Sequence, residues 1–258
     1  VYVRNETFRE RVRDVAFGQV VVPEQVKGVV SYTDNCLLDL TEEGLRLIGM
    51  QGGYVEIPEN IGDNSRTYLN VIGEYKIPFW LYGKDNVNVR NRGQVENELK
   101  NYLDTNFIEV CDLEQFSDQG YVFNVEDVNV NVEIKDNNVD VRLDSNIDVS
   151  FRENTFDIDE YISVSVDNSL GKMLDISKGL VDREMDICPL EYNTLNLISI
   201  YSKDKDYFPP IAGFDFKCGG RKWKYSEVLD RFKLFTSSYV PYLRVEGSSN
   251  ENDLEDEF

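Results

Sequence analysis

The apolar repeat of this chain changes period once, near Gly120, and that change restricts what the chain can fold into. Apolar positions three and four apart share one face of a helix, whereas alternate positions share one face of a strand. Before Gly120, Val26, Val30, Thr33, Leu37, Leu40, Gly44 and Leu47 advance by alternating four and three, which predicts a helix after Pro23. Gly49 is its expected C-cap, and Gly44 lies on the stripe that should be buried. A second helix is expected from Gln94 to Cys111, with Val95, Leu99, Tyr102, Leu103, Phe107 and Val110 on its apolar face. After Gly120, Val128, Val130, Val132 and Ile134 alternate with polar residues. Asp136-Asn137-Asn138 turns the chain, Val139, Val141 and Leu143 alternate back, and Ile147, Val149 and Phe151 make a third strand. The expected fold is α+β: an antiparallel meander, covered on one side, packed against three main helices.

Between the two periodic regions the reading is of short pieces. Gly52-Gly53 predicts a tight helix-to-strand turn, with extended runs at Tyr54 to Ile57, Tyr68 to Ile72 and Tyr75 to Tyr82. Pro78 makes the last an edge strand, since proline removes a ladder donor. Residues 59 to 67 read as loop. Asp167 to Ser169 can cap a third helix reaching Ile187. Beyond it a small α/β lobe is expected, with strands Leu195 to Tyr201 and Phe214 to Cys218 and a helix around Tyr225 to Phe235. The predicted organisation is a charged stalk at 1–22, a main domain at 23–187, the C-terminal lobe at 188–245 and an acidic flexible tail at 246–258.

Four cysteines in a chain with no histidine are the next constraint. They allow three pairings. The sequential one is preferred, Cys36 with Cys111 clamping two helices and Cys188 with Cys218 tying the lobe. Loops of that size would add ~4.5 and ~3.7 kcal/mol on the chain-entropy model. Four reduced, buried thiols remain open as the alternative. A zinc site is poor, because no C-x-x-C pair and no imidazole complete a tetrahedron. The missing histidine also removes the Ser-His-Asp triad and the Cys-His dyad.

Charge narrows the partners. The 27 basic residues stand against 48 acidic ones, a formal charge of −21, which repels phosphate backbones and anionic head groups. Nucleic acid is therefore excluded as a partner. Two alanines against 23 asparagines favour turns and strands over helix. No apolar run reaches the ~18 residues of a membrane span. The first residue is Val1, so a processed or trimmed chain is expected, with any anchor upstream.

Candidate sites are few. The aromatics Phe79, Trp80 and Tyr82, and Trp223 with Tyr225, could form binding patches or belong to packing. Asp136, Asn137, Asn138 and Asp140, and separately Asp204 with Asp206, offer oxygens to calcium without the ordered loop of an EF-hand. Asp157 with Asp159 or Glu160 could serve acid–base work. No cofactor is expected.

The order of motifs resembles a known group. Tyr32 to Cys36, the stretch EGLRLIGMQGGY from Glu43 to Tyr54, and a cysteine closing a helix at Cys111 resemble uncharacterised single-pass membrane-anchored surface proteins of small-genome symbiotic archaea of the DPANN type. The likeness extends more loosely from Leu197 to Trp223, through Ser199-Ile200-Tyr201-Ser202 and Pro209-Pro210. It implies an extracytoplasmic ectodomain, disulfide formation and an N-terminal membrane helix outside this chain. It transfers no catalytic residue. The functional expectation is a non-enzymatic binding or adhesion domain whose partner is a protein or glycan on a cell surface, or a second copy of itself. A structural subunit of a surface assembly is one alternative. A hydrolase of envelope polymers is the other, and it would need two opposed carboxylates about 5 to 9.5 Å apart in a cleft.

Overall fold

The computed structural model describes residues 22–71, 75–82, 86–125, 127–158, 161–201 and 223–239. Residues 1–21 of the expected stalk, the tail, the strand Phe214 to Cys218, and Asp204 and Asp206 lie outside them. Contacts divide the chain into two units, Val1–Asp175 and Ile176–Phe258.

Helix α1, Lys27–Met50, buries the predicted stripe, including Val30, Thr33, Leu37, Leu40 and Gly44. Its two buried hydroxyls are satisfied within the helix: Thr33 donates to the Val29 carbonyl at 2.9 Å and Thr41 to that of Leu37 at 2.7 Å. Threonine can therefore occupy a core stripe without an orphaned polar atom. The expected glycine cap is displaced. Gly49 remains helical, and the left-handed residues are Gly52 at φ 63° and Gly53 at φ 97°, which turn the chain out after Gln51.

No strand forms at Tyr54 to Ile57. Gln51 donates its side-chain amide to the Val55 carbonyl at 2.7 Å, and Tyr54 and Val55 are buried, so the run is tied down as irregular chain. A single helical turn, α2 (Glu59–Gly62), then occupies part of the expected loop. Strands β1 (Tyr68–Val71) and β2 (Tyr75–Pro78) form one two-stranded sheet; β3 (Leu81–Tyr82) and β4 (Asn86–Val87) form another. The expected single strand Tyr75 to Tyr82 is thus divided after Pro78, although the Phe79 amide still donates to the Thr67 carbonyl at 2.9 Å.

Helix α3, Arg92–Val110, starts at a capping box in which Asn91 and Gln94 exchange side-chain-to-backbone bonds. It buries Val95, Leu99, Leu103 and Phe107, four residues apart, against α1. The helices meet closely at Gly44, where a Cβ would stand 2.6 Å from Leu99 Cδ1 and 2.9 Å from Tyr102 Cδ1. The Cys36–Cys111 disulfide joins the same pair, with Cα atoms 5.7 Å apart.

After a 3₁₀ turn at Glu114–Gln119 come β5 (Tyr121–Val125), β6 (Val130–Ile134), β7 (Asn138–Leu143), β8 (Ile147–Phe151), β9 (Asn154–Asp157) and β10 (Ser163–Asp167). The β6–β7 hairpin forms as expected, but the three-strand meander does not. The order is β10–β7–β6 in one sheet and β5–β8–β9 in the other, all antiparallel. Alternation assigned the faces of β8 correctly and said nothing about its partner. The Asp144 amide donates to the Asn129 carbonyl at 2.8 Å, and Ser145 Oγ both accepts from the Asn129 amide and donates to its carbonyl. That loop releases the chain to the second sheet, and β10 takes the place beside β7. The resulting fold is α+β with a disulfide, its core formed by α1, α3 and the inner faces of β6, β7, β8 and β10.

Helix α4 (Leu170–Ile187) begins where Asn168 accepts from the Leu170 amide at 2.8 Å, as expected, and the unit boundary falls within it. The predicted strand Leu195 to Tyr201 is instead the second half of helix α5 (Pro189–Tyr201). Its short run, interrupted by Asn196 and Ser199, suits either element, and Pro189 at the first helical position favours helix. Helix α6 (Tyr225–Tyr239) matches its expectation and packs with α5.

Candidate functional site

The two small hairpins gather residues distant in sequence around one cleft. Thr67 is placed before β1 by the bond from the Phe79 amide to its carbonyl, at 2.9 Å. Its hydroxyl donates to the carbonyls of Ile61 and Asn64, at 2.8 and 2.6 Å, which holds α2 and its following turn against the hairpin. The Asn88 amide donates to the Trp80 carbonyl at 2.7 Å, bringing the end of β4 to the same place. Between them lies a cavity of about 270 Å³ lined by Asn60, Ile61, Asn64, Thr67, Phe79, Tyr82 and Asn88.

The predicted aromatic cluster divides in two. Phe79 and Tyr82 are 36% and 40% exposed and nearly parallel, with ring centroids 6.4 Å apart and planes inclined by 15°. Trp80 turns the other way, packs against the core, and donates its indole N–H to the Gly52 carbonyl at 2.8 Å. Adjacent residues of extended chain face opposite sides, which turns Phe79 outward where Trp80 turns inward; Tyr82, three residues on, lies beside Phe79. Trp223 and Tyr225 stand elsewhere in the chain: Tyr225 is 82% exposed, and the Arg231 guanidinium lies 5.7 Å from the Trp223 ring centre.

No family model, curated protein or solved structure matches this chain. What the cleft can do is therefore read from its own chemistry. Each of the seven side chains is uncharged at neutral pH, three of them are amides, and an amide both donates and accepts hydrogen bonds. The Asn64 side-chain oxygen, Oδ1, accepts from the Arg66 backbone amide at 3.1 Å, leaving its NH₂ as a donor. Sequence reading found the two aromatics and missed the amides. Asparagine richness was visible in the 59–67 segment, but only the pairing of β1 with β2 and β3 with β4 brings Asn60, Asn64 and Asn88 together.

The other candidates are placed as follows. Asp136 is ion-paired to Arg92 at 2.6 Å, and Asp140 to Lys135 at 2.7 Å. Asp140 also accepts from Asn138 and Ser165. Burial pushes the Asp140 carboxyl up, but the bonds from Lys135, Ser165 and Asn138 outweigh it and hold the group below its usual value. A calcium ion at this turn would have to displace both cations. Among the described residues, no group of three acidic or cysteine side chains stands together as a metal site. Asp157 faces Asp148 across the β8–β9 ladder, while Asp159 and Glu160 lie outside the described residues.

Of the expected disulfides, Cys36–Cys111 is formed. Cys188 is an exposed free thiol at φ 48° in the joint between α4 and α5, and its expected mate, Cys218, lies outside the described residues.

Proposed function

We propose that this chain is a non-enzymatic, extracytoplasmic binding or adhesion domain of a membrane-anchored archaeal surface protein. The supporting observation is a neutral, aromatic-walled cleft on a strongly acidic, disulfide-bonded fold. Structural disulfides belong to oxidising compartments, and a clamp between α1 and α3 is of the structural kind. The resemblance of the Tyr32–Cys36 and Glu43–Tyr54 stretches to archaeal surface proteins points the same way. No helix among the described residues is long and apolar enough to cross a membrane, so the anchor in this reading lies outside them.

The test is binding of the fluorescently labelled, oxidised chain to intact archaeal cells. Saturable binding that falls on replacing Phe79 and Tyr82 together by serine is the expected result. Binding that is non-saturable, or unchanged in that variant, would refute the reading. Exposed apolar side chains on the helices of the second unit, among them Ile187, Leu195, Ile200 and Leu234, favour self-assembly as a second reading. A strict monomer in sedimentation at high concentration would remove it.

A further inference from the structure

We infer that the cleft beside Phe79 and Tyr82 is a subsite for one neutral pyranose ring, that is, for an uncharged sugar unit of a surface glycan. The inference rests on the recognition reading above and names the ligand class of that site. Four properties of the cleft carry it.

The first is charge. None of the seven described lining residues is charged, in a chain where 29% of residues are. Among the described lining residues an anionic sugar would find no cation, and it would meet the field of a −21 chain. A cationic group would find no carboxylate among those residues.

The second is hydrogen-bonding pattern. A sugar hydroxyl donates and accepts at once, and the side chain that matches both functions without charge is an amide. The Asn60 and Asn88 amides engage no protein group among the described residues, so neither is committed to holding the fold. Asn64 Oδ1 accepts one bond, from the Arg66 amide, and its NH₂ is available to donate. Thr67 spends its single hydroxyl proton on the Ile61 and Asn64 carbonyls, so toward a ligand it can only accept.

The third is the aromatic shelf. One face of a pyranose carries axial C–H bonds and is apolar, and it packs on an aromatic ring. Two half-exposed rings inclined by only 15° offer such a shelf. Trp80, tied to Gly52, fixes the strip that carries them. The fourth is size. A volume of about 270 Å³ falls just under the ~300–1,000 Å³ of sites for drug-sized ligands, which leaves room for one ring and an exit for its glycosidic bond.

Saturation-transfer NMR on the full oxidised chain tests this, with methyl α-mannopyranoside, methyl β-glucopyranoside and methyl β-galactopyranoside as probes and methyl β-glucuronide as the charged comparator. At least one neutral glycoside should receive saturation, most strongly at its ring C–H protons. Its Kd should be on the order of 1 mM, the strength ordinary for a ligand of that size. Tyr82→Ser should weaken binding at least about threefold, the loss expected for one aromatic contact. Asn60→Leu, on an exposed helical turn where folding is undisturbed, should weaken it similarly, while Tyr82→Trp keeps it.

Transfer to none of the neutral probes at ~50 mM, many times the expected Kd, overturns the inference. Stronger transfer to the glucuronide, or undiminished transfer in Tyr82→Ser and Asn60→Leu, overturns it too. The two readings fail separately. Cell binding that depends on Phe79 and Tyr82 without glycoside binding would leave recognition standing with a protein partner. Glycoside binding without cell binding would keep the sugar site and remove the adhesion role.

Discussion

Replacing Gly44 by alanine should destabilise the fold, although alanine is the better helix former. In an exposed helix interior the change gains ~0.5–1 kcal/mol. Here the new Cβ would sit 2.6 Å from Leu99 Cδ1 and 2.9 Å from Tyr102 Cδ1, inside van der Waals contact with both. Leu99 is fully buried, so its methyl cannot swing into solvent. Overpacking of this kind costs ~1–3 kcal/mol. The helices cannot easily move apart to relieve it, because the Cys36–Cys111 bridge joins α1 to the end of α3. A net loss of about 1 kcal/mol follows from these opposing effects.

Gly49→Ala is the control. It lies in the same helix, and a Cβ there would have no atom within 4 Å, so only the propensity gain of ~0.5–1 kcal/mol applies. Urea unfolding of the oxidised protein, followed by circular dichroism, measures both at constant m-value. The two variants should shift the midpoint in opposite directions. In a Cys36→Ala/Cys111→Ala background, where the helices are freer to separate, the Gly44→Ala loss should shrink. Refutation is simple: Gly44→Ala as stable as the parent, or a loss of equal size with and without the disulfide.

Other outcomes follow from the same geometry. Cys36→Ala/Cys111→Ala should lower stability by up to ~4.5 kcal/mol for a sequence separation of 75, read from the urea midpoint against the oxidised parent. In the native oxidised protein, maleimide should modify exposed Cys188 and spare Cys36 and Cys111, as peptide mapping would show. Asp140 has its folded pKa held below the usual 3.8, so its contribution is present above that pH and lost as pH falls through the folded value. Asp140→Asn should therefore narrow the difference between urea midpoints at pH 5 and pH 2.5. Trp80→Phe removes the donor to the Gly52 carbonyl and should cost ~1–3 kcal/mol, with faster amide exchange in β1 to β4 as its local signature.

What the sequence disclosed and what it withheld divide along the range of the interactions. Helices α1, α3, α4 and α6 and the β6–β7 hairpin rest on patterns within one segment, so period and caps sufficed to place them. Gly44 could be read as a close-approach position because it falls on a stripe of larger residues. The partner of β8 could not be read, since the bonds that send it to the second sheet come from Asn129, on the far side of the hairpin. Helix α5 reads as a strand in sequence because a short apolar-rich run, Leu195 to Tyr201, suits either element. The cleft was half legible: Phe79 and Tyr82 stand out by type, while Asn60, Asn64 and Asn88 are ordinary turn residues until two hairpins bring them together.

The edges of the β10–β7–β6 sheet bear on whether this chain could tile a surface by strand addition. An open edge strand offers unpaired N–H and C=O groups to another chain. On β6, the Val130 amide donates to Asp104 at 2.7 Å and the Ile134 amide to Glu96 at 2.8 Å, while Lys100 donates to the Val130 carbonyl at 3.0 Å. Glu96, Lys100 and Asp104 are spaced four apart on α3, so one row of the helix serves one strand edge. On β10, the Ser163 amide donates to Asp34 of α1 at 3.2 Å. Both outer strands are thus engaged by the helices that cover the core, and an incoming strand would have to displace charged side chains from backbone amides. Sheet-edge assembly through this sheet is disfavoured by the same contacts that fix the helices. Asp104→Ala/Glu96→Ala should free the β6 edge, and concentration-dependent association appearing in that variant but not in the parent would show that these carboxylates guard it.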